Sequence, residues 1–436
     1  MHSVVTRRQL LSVAGTATGI AAACRRQRSE TKEVAPGPVT LVWAFWGGQE
    51  RVTIRDEQIS TFQREHPSVT IERVHTTGSV DEHFDKVQVM LAGGSQLDLF
   101  MSSPIWIPNL ALKELYLDLN GLMARDKFPV GEYAPAALDA FAYLGKQYSM
   151  PELVNFGVIY YNKGLFERAG VSSPQDDWTW EQFLTAAQRL TTRRGSDVDV
   201  WGAWPVKTDL NNTMPWIWMN GGQILDDEQD PKRSTMSTPA VVDALEWRAN
   251  WAHKHRVAPS PADTLPAGNA FSSGLVAMNV STATAVPNLV ASIQGFAWDA
   301  APLPRGERGH INFAGSAGQG IARQSKLAHE AWSVLRFLAS PDGLRPLARD
   351  QAGLPPHRGL AATEYLQLTT PPTNRRAMVK TLDVLRALPK APFMLETYYQ
   401  VYGAQLNGIY DGKVGAREAC TAIDDQVSEY LRRAGG

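Results

Sequence analysis

The sequence predicts an α/β fold in two units, each a mainly parallel sheet flanked by helices. Three observations lead there. At 436 residues the chain is too long for one ordinary core. Between residues 39 and 101, β-branched and aromatic runs alternate with amphipathic stretches, the pattern of parallel strands joined by helices. A second set of strand and helix signals begins near Met150-Pro151-Glu152.

The chain opens with Thr6-Arg7-Arg8-Gln9-Leu10-Leu11, followed by an Ala-, Gly- and Thr-rich apolar stretch to Ala23. That stretch is shorter than the roughly 20 strongly apolar residues needed to cross a bilayer, so it reads as an export signal over 1–23. The paired arginines resemble a twin-arginine signal. Ala21-Ala22-Ala23-Cys24 resembles a lipobox, which makes Cys24 the expected lipidation site and the membrane anchor. The same residues admit soluble secretion after Ala-x-Ala. The expected location is therefore the cell envelope, facing the periplasm or the exterior. Residues 24–38 are polar, end in Pro36-Gly37-Pro38 and read as a tether.

Next comes a strand, Val39 to Phe45, and the turn Trp46-Gly47-Gly48. A helix from about Glu50 to Glu65 stops before Pro67. Val69–Val74 reads as a strand, Asp81–Leu91 as a helix and Asp98–Met101 as a short strand. In parallel sheets ligands bind beyond the carboxyl ends of the strands, which points to Trp46 and to Ser102-Ser103-Pro104-Ile105-Trp106. In the second unit Phe156–Tyr161 is a strand. Thr179 with Gln182 forms a capping box ahead of Phe183, Ala186, Ala187 and Leu190; Trp178 and Trp180 beside it are assigned to packing.

Lys+Arg 43 against Asp+Glu 44 gives a net charge of −1, which removes whole-chain attraction for nucleic acid or anionic membrane. The 13 Trp and 12 Tyr exceed what a core needs and suit a binding cleft. The chain contains no G-x-S-x-G elbow, Walker loop, H-E-x-x-H or C-x-x-C, and no cofactor or metal is implied. Apart from Cys24 the one cysteine is Cys420, read as a small buried hydrophobe. The acidic run Asp226-Asp227-Glu228-Gln229-Asp230 lacks the glycine and final Glu of an EF-hand and reads as a solvated turn.

Several segments in order resemble bacterial extracellular solute-binding proteins of sugar importers, the maltose- and glycerol-3-phosphate-binding type. They are Tyr148-Ser149-Met150-Pro151 with Ile159-Tyr160-Tyr161-Asn162-Lys163-Gly164-Leu165-Phe166; Ala169-Gly170 and Trp178-Thr179-Trp180-Glu181-Gln182-Phe183; and Gly274 to Met278. Ala301-Pro302-Leu303-Pro304, Gly315 to Ile321, Ala331 to Leu338 and Ser340-Pro341-Asp342-Gly343 continue the series. The resemblance implies two α/β lobes, 39–150 plus 317–352 and 151–316 plus 353–436, joined by crossings near Met150–Asn155, Ala314–Gly318 and Gly353–Arg358. It further implies a monomer that is not an enzyme and that delivers a sugar or sugar derivative to the permease subunits of an ABC importer.

A sugar needs aromatic platforms and fixed hydrogen-bond groups. The candidates are Trp46, Ser102, Ser103 and Trp106 at strand ends, Glu152 and Asn155 at a crossing, and Asn212 and Trp216 before Asn220-Gly221-Gly222. Gly315 and Ser316 offer backbone N–H groups, Tyr398 a ring, and Arg358 a guanidinium for vicinal hydroxyls, a carboxylate or a phosphate. Ser281-Thr282-Ala283-Thr284 stands where many relatives carry a stacking Trp, which predicts a smaller, more polar or phosphorylated ligand. A glycerophosphodiester or other non-sugar solute is the alternative ligand, and a secreted glycoside-processing enzyme using Glu152 is a second alternative.

Overall fold

The computed structural model describes residues 37–204, 209–263, 270–351 and 353–434. The expected export signal, Cys24 and most of the tether lie outside the described residues.

Ten strands form two five-stranded sheets. They are β1 (Val39–Trp46), β2 (Val69–Thr76), β3 (Leu99–Ser102), β4 (Ser149–Asn155), β5 (Gly157–Asn162), β6 (Thr192–Arg194), β7 (Asp197–Trp204), β8 (Val276–Thr282), β9 (Trp298–Pro302) and β10 (Gly315–Ile321). The first sheet has the order β2-β1-β3-β10-β4 and the second β9-β5-β8-β7-β6. In the first, β2, β1 and β3 are parallel neighbours, and β10 is antiparallel to both β3 and β4. Four of its strands thus share one direction and β10 alone is reversed. The second is more mixed: β5 opposes β8 and β9, β8 and β7 are parallel, and β6 opposes β7. The reversals follow from connectivity, because β10 returns from the second sheet and β5 follows β4 after the single residue Phe156.

β1 shows why the first sheet is a layer between two cores. Leu41, Trp43 and Phe45 point into one cluster with Phe62, Trp332 and Leu335. Val42 and Ala44 point into another with Val87, Leu91 and Trp106. A strand buried on both faces needs the continuous apolar run that was read from its sequence. Edge strand β2 instead alternates, with Val69 and Ile71 buried and Thr70 and Glu72 exposed. The flanking helices are α1 (Gln49–Glu65), α2 (Val80–Ala92), α3 (Trp180–Leu190), α4 (Leu210–Met219), α5 (Pro239–His253), α6 (Ala328–Ala339), α7 (Pro341–Asp350) and α8 (Ala416–Ala434). Ser79 caps α2 by accepting from the Glu82 N–H. The Thr179–Gln182 box at α3 is reciprocal, at 2.8 and 3.2 Å. Cys420, on α8, is fully buried.

Three segments pass between the sheets side by side. β4 runs through Phe156 into β5; Ala314 leads into β10; and the chain after α7 crosses at Leu354. They form one ladder. Gly315 pairs with Asn155 and Ser316 with Val154, while Val154 and Leu354 exchange two backbone hydrogen bonds of 2.7 and 3.0 Å. These are the crossings expected from sequence.

The ladder contains a bulge. Consecutive residues Ala317 and Gly318 face Leu153 and Pro151, so Glu152 is the extra residue. Pro151 has no N–H to donate, and a bulge is where a sheet tolerates proline. The displaced Glu152 side chain is almost fully buried. It accepts from Arg55 at 2.6 Å, Gln319 at 2.6 Å and Arg51 at 3.1 Å. Gln319 also accepts from the Trp43 indole at 2.8 Å, and the Arg55 guanidinium lies 4.8 Å over the Trp43 ring. Burial pushes the Glu152 carboxyl up, but the two guanidinium charges and the Gln319 amide together hold it below its ordinary value. Burial lowers Arg55 to about 10, which leaves it charged at neutral pH. One buried carboxylate thereby ties α1, β1, β4 and β10 together.

Glu152→Gln leaves two guanidiniums facing a neutral group, and urea unfolding is expected to show a loss of about 3 kcal/mol. Because the folded carboxyl is lowered, its contribution is present above about pH 5 and fades as the pH falls below the ordinary carboxylate range. An unchanged midpoint in the variant contradicts this role.

Candidate functional site

Where the carboxyl end of the first sheet meets the second half of the chain there is a cavity of about 150 Å³. One wall is the start of α2, with Val80 and Asp81, and the 3₁₀ turn Pro104–Trp106 after β3 with Ser103 before it. The other wall carries Asn211 from the first turn of α4, Tyr398 and Tyr399, with Leu388 and Leu395. Gly315, at the crossing, closes one side. The walls interlock: Ile105 packs on the cluster containing Tyr398, Tyr402 and Leu406, and Leu395 packs with the cluster containing Trp106.

Local chemistry places each group. Asp209 caps α4 by accepting from the Asn212 N–H at 3.0 Å. Tyr398 starts a π-helical turn, Tyr398–Gly403, that aims its ring at this cap. Its hydroxyl accepts from the Asn211 N–H at 3.2 Å and donates to Asp209 at 3.5 Å. Tyr399 packs edge-on against Tyr398 at 4.8 Å and is half exposed. Burial raises both phenols above the ordinary value, with Asp209 adding to Tyr398, and Asp81 and Asp209 to Tyr399. Among the described residues the buried Asn211 side-chain oxygen has no partner. Pro215, inside α4, has no N–H, so the Asn211 carbonyl also loses its helical donor. The site therefore offers aromatic rings, the Ser103 and Tyr399 hydroxyls and the Asp81 carboxylate.

The structure distributes the sequence candidates unevenly. Ser103, Trp106, Gly315 and Tyr398 line the cavity. Trp106 is 1% exposed, because Trp46, Phe84 and His83 cover it. Trp46 is half-buried and reaches the site only through Trp106 and His83. Ser316 pairs through its backbone with Val154 in the β10–β4 ladder. A Cβ on Gly315 would meet the Phe313 ring at 2.4 Å, so the glycine is demanded by strand packing as well.

Six candidates sit elsewhere for identifiable reasons. Ser102, the last residue of β3, is fully buried and hydrogen-bonds the Tyr116 hydroxyl. Glu152 is consumed by the ion-pair network at the bulge. Asn155 accepts from the Thr284 N–H at 3.2 Å and braces the crossing against the end of β8. Asn212 points its amide at Asp209, and Trp216 is buried among Trp180, Trp247 and Trp251. Arg358 is an exposed cation paired with Asp383 at 2.7 Å, outside the cavity. Trp178 is buried and Trp180 stacks on Trp247, as the packing assignment expects.

The reading by sequence passed over Asp81, Asn211 and Tyr399. A cap at Asp209, three residues before Asn212, would have put Asn211 rather than Asn212 toward the opening.

His83, under Trp46 and Trp106, is fully buried and hydrogen-bonds the Met101 carbonyl at 3.1 Å. Burial lowers its pKa to about 4. The unfolded chain then takes up a proton that the folded one refuses, so stability falls as pH drops from about 6.5 toward 4. His83→Gln is expected to flatten that limb of a pH–melting profile. Arg358→Ala is expected to leave unfolding free energy within about 0.5 kcal/mol, whereas Trp216→Ala is expected to cost about 3–5 kcal/mol.

A family model described as bacterial extracellular solute-binding protein matches residues 47–344. An ABC substrate-binding protein of Listeria monocytogenes, solved in complex with cycloalternan, superposes with a TM-score of 0.78 at 24% identity, covering 90% of this chain and 98% of that one. UgpB of Mycobacterium tuberculosis, in complex with glycerophosphocholine, gives 0.76 at 22% identity, covering 92% and 100%. The arabinooligosaccharide-binding protein of Halalkalibacterium halodurans is 22% identical over 310 residues, 66% of this chain and 64% of that one.

Proposed function

The chain belongs to the bacterial extracellular solute-binding protein family, and from that premise we propose that it is the substrate-binding component of an ABC importer for a sugar or sugar derivative. The observation that carries the reading is the cavity at Ser103, Trp106, Asn211, Tyr398 and Tyr399, bounded by the crossing at Gly315. Rings supply a face for sugar C–H groups, and the unpartnered Asn211 oxygen takes a hydroxyl proton. The relatives named for arabinooligosaccharide and solved with cycloalternan support a sugar.

The lobes in this reading are 39–150 with 317–352, and 151–316 with 353–436. Three bonded crossings give a hinge with few degrees of freedom, so the lobes close over ligand and the closed form engages the permease. The cavity is smaller than the roughly 300–1,000 Å³ of sites for drug-sized ligands. In this conformation it suits one small ring, which agrees with the lack of a Trp after β8. The protein acts as a monomer, exported under the paired arginines and held at the membrane by lipid on Cys24.

Binding without turnover is supported by Glu152. A hydrolytic general acid needs a raised pKa and access to substrate, and Glu152 is buried between two guanidiniums with its pKa lowered. A glycerophosphodiester is supported less well, because Arg358 stands outside the cavity and pairs with Asp383.

A thermal-shift screen of sugars and sugar derivatives tests the function. A true ligand at 100 times its Kd stabilises by about 2.7 kcal/mol, and Asn211→Ala and Tyr399→Ala are each expected to weaken its binding at least tenfold. Binding that survives both substitutions removes this cavity as the site, and a folded protein that no sugar or derivative stabilises removes the sugar reading.

A further inference from the structure

The charge around the cavity is one-sided. Among the described residues Asp81 is the one ionic group in its lining, and it makes no ion pair. A second carboxylate, Asp209, lies behind Tyr398. Both carboxylates act on the Tyr399 phenol, which places them within electrostatic reach of the same ring. Two basic side chains near this region, Lys390 and Arg386, are ion-paired. Lys390, in the adjoining pocket that shares Pro104, Ile105 and Tyr398, pairs with Asp139 at 2.6 Å. Arg386, two residues before Leu388, pairs with Glu228 at 2.6 Å.

The uncharged hydrogen-bond groups are mixed, since the Ser103 and Tyr399 hydroxyls donate as well as accept. Among the described residues the Asn211 side-chain oxygen, buried beside the cavity, has no hydrogen-bond partner. Tyr398 spends its proton on Asp209. Three aromatic rings, Trp106, Tyr398 and Tyr399, complete the lining. Aromatic faces attract ammonium groups, more strongly where water is displaced. Among the described residues no cation lines the cavity, so an anion placed here would face Asp81.

We propose that the cleft recognises a ligand bearing a protonated amine on a hydroxylated ring, with Asp81 as counter-charge and the tyrosine pair as the face for the ammonium. The proposal rests on the reading of this cavity as the sugar site and narrows it to amino sugars. It reverses the weight given to Arg358 in the sequence, because the fold puts an acid, not a guanidinium, at the opening.

Calorimetric titration of the full chain with matched pairs tests it: glucose and glucosamine, galactose and galactosamine, mannose and mannosamine, each with the corresponding hexose 6-phosphate. In at least one pair the amine is expected to bind tenfold or more tightly than the neutral sugar, with no binding of the phosphate. Asp81→Asn is expected to erase that preference, so that the amine binds no more tightly than its neutral partner. Asp81 is exposed in the first turn of α2, so the variant is expected to fold. Equal or tighter binding of neutral sugars overturns the amine assignment and leaves the sugar reading standing, as does an amine preference that survives Asp81→Asn. Preference for the phosphates also overturns the amine assignment. Binding of none of the probes removes both.

Discussion

Everything at the site depends on one irregularity in a strand that crosses between the two sheets. Pro151 cannot donate to the ladder, the register slips by one residue, and Glu152 turns inward as the bulged residue. Desolvating a carboxylate costs several kcal/mol unless charges and donors meet it. Arg55, Arg51 and Gln319 do so, and in doing so they bind α1 and β10 to the crossing strand. The next residues, Val154 and Asn155, pair with Ser316 and Gly315, and Val154 also pairs with Leu354. A rigid anchor on the first sheet thus passes directly into the three-strand crossing beside the cavity.

The cavity inherits its character from the two ends that meet there. From the first sheet come a helix start and the 3₁₀ turn after β3, which bring Asp81 and Ser103 forward and seat Trp106 beneath Trp46. From the second half come a capped helix and a π-helical turn, which lock Tyr398 to Asp209 and Asn211. The polar groups left over are the Asp81 carboxylate, the Ser103 and Tyr399 hydroxyls and the Asn211 side chain, and the remaining surface is aromatic or aliphatic. Such a lining suits a ligand rich in donors, which is the chemistry of hydroxyls and of amines.

Much of the fold was legible because it follows local rules. The apolar run of β1, the stop before Pro67 and the Thr179–Gln182 box each have a short-range cause, and each stands where expected. The crossings were legible through family resemblance, and the strand reversals at β5 and β10 were not, since direction is set by connectivity over long distances. The site was half legible. Ser103, Trp106, Gly315 and Tyr398 follow from strand ends and a crossing. Glu152 and Trp216 look available in a sequence and are spent in a fold, one on a bulge and one on a four-tryptophan cluster. Asp81 and Asn211 gave the opposite signal: an acid in a first helical turn and one of two adjacent asparagines look ordinary until the facing wall is known.

Ligand is expected to sit between the 3₁₀ turn after β3 and the Asp209–Asn211–Tyr398 group. A crystal structure of the chain saturated with a stabilising sugar tests it most directly. Ligand density is expected against Tyr398 and Tyr399, with a donor within 3.2 Å of the Asn211 side-chain oxygen. Density in any other pocket, with Asn211 and Tyr399 untouched, would contradict it.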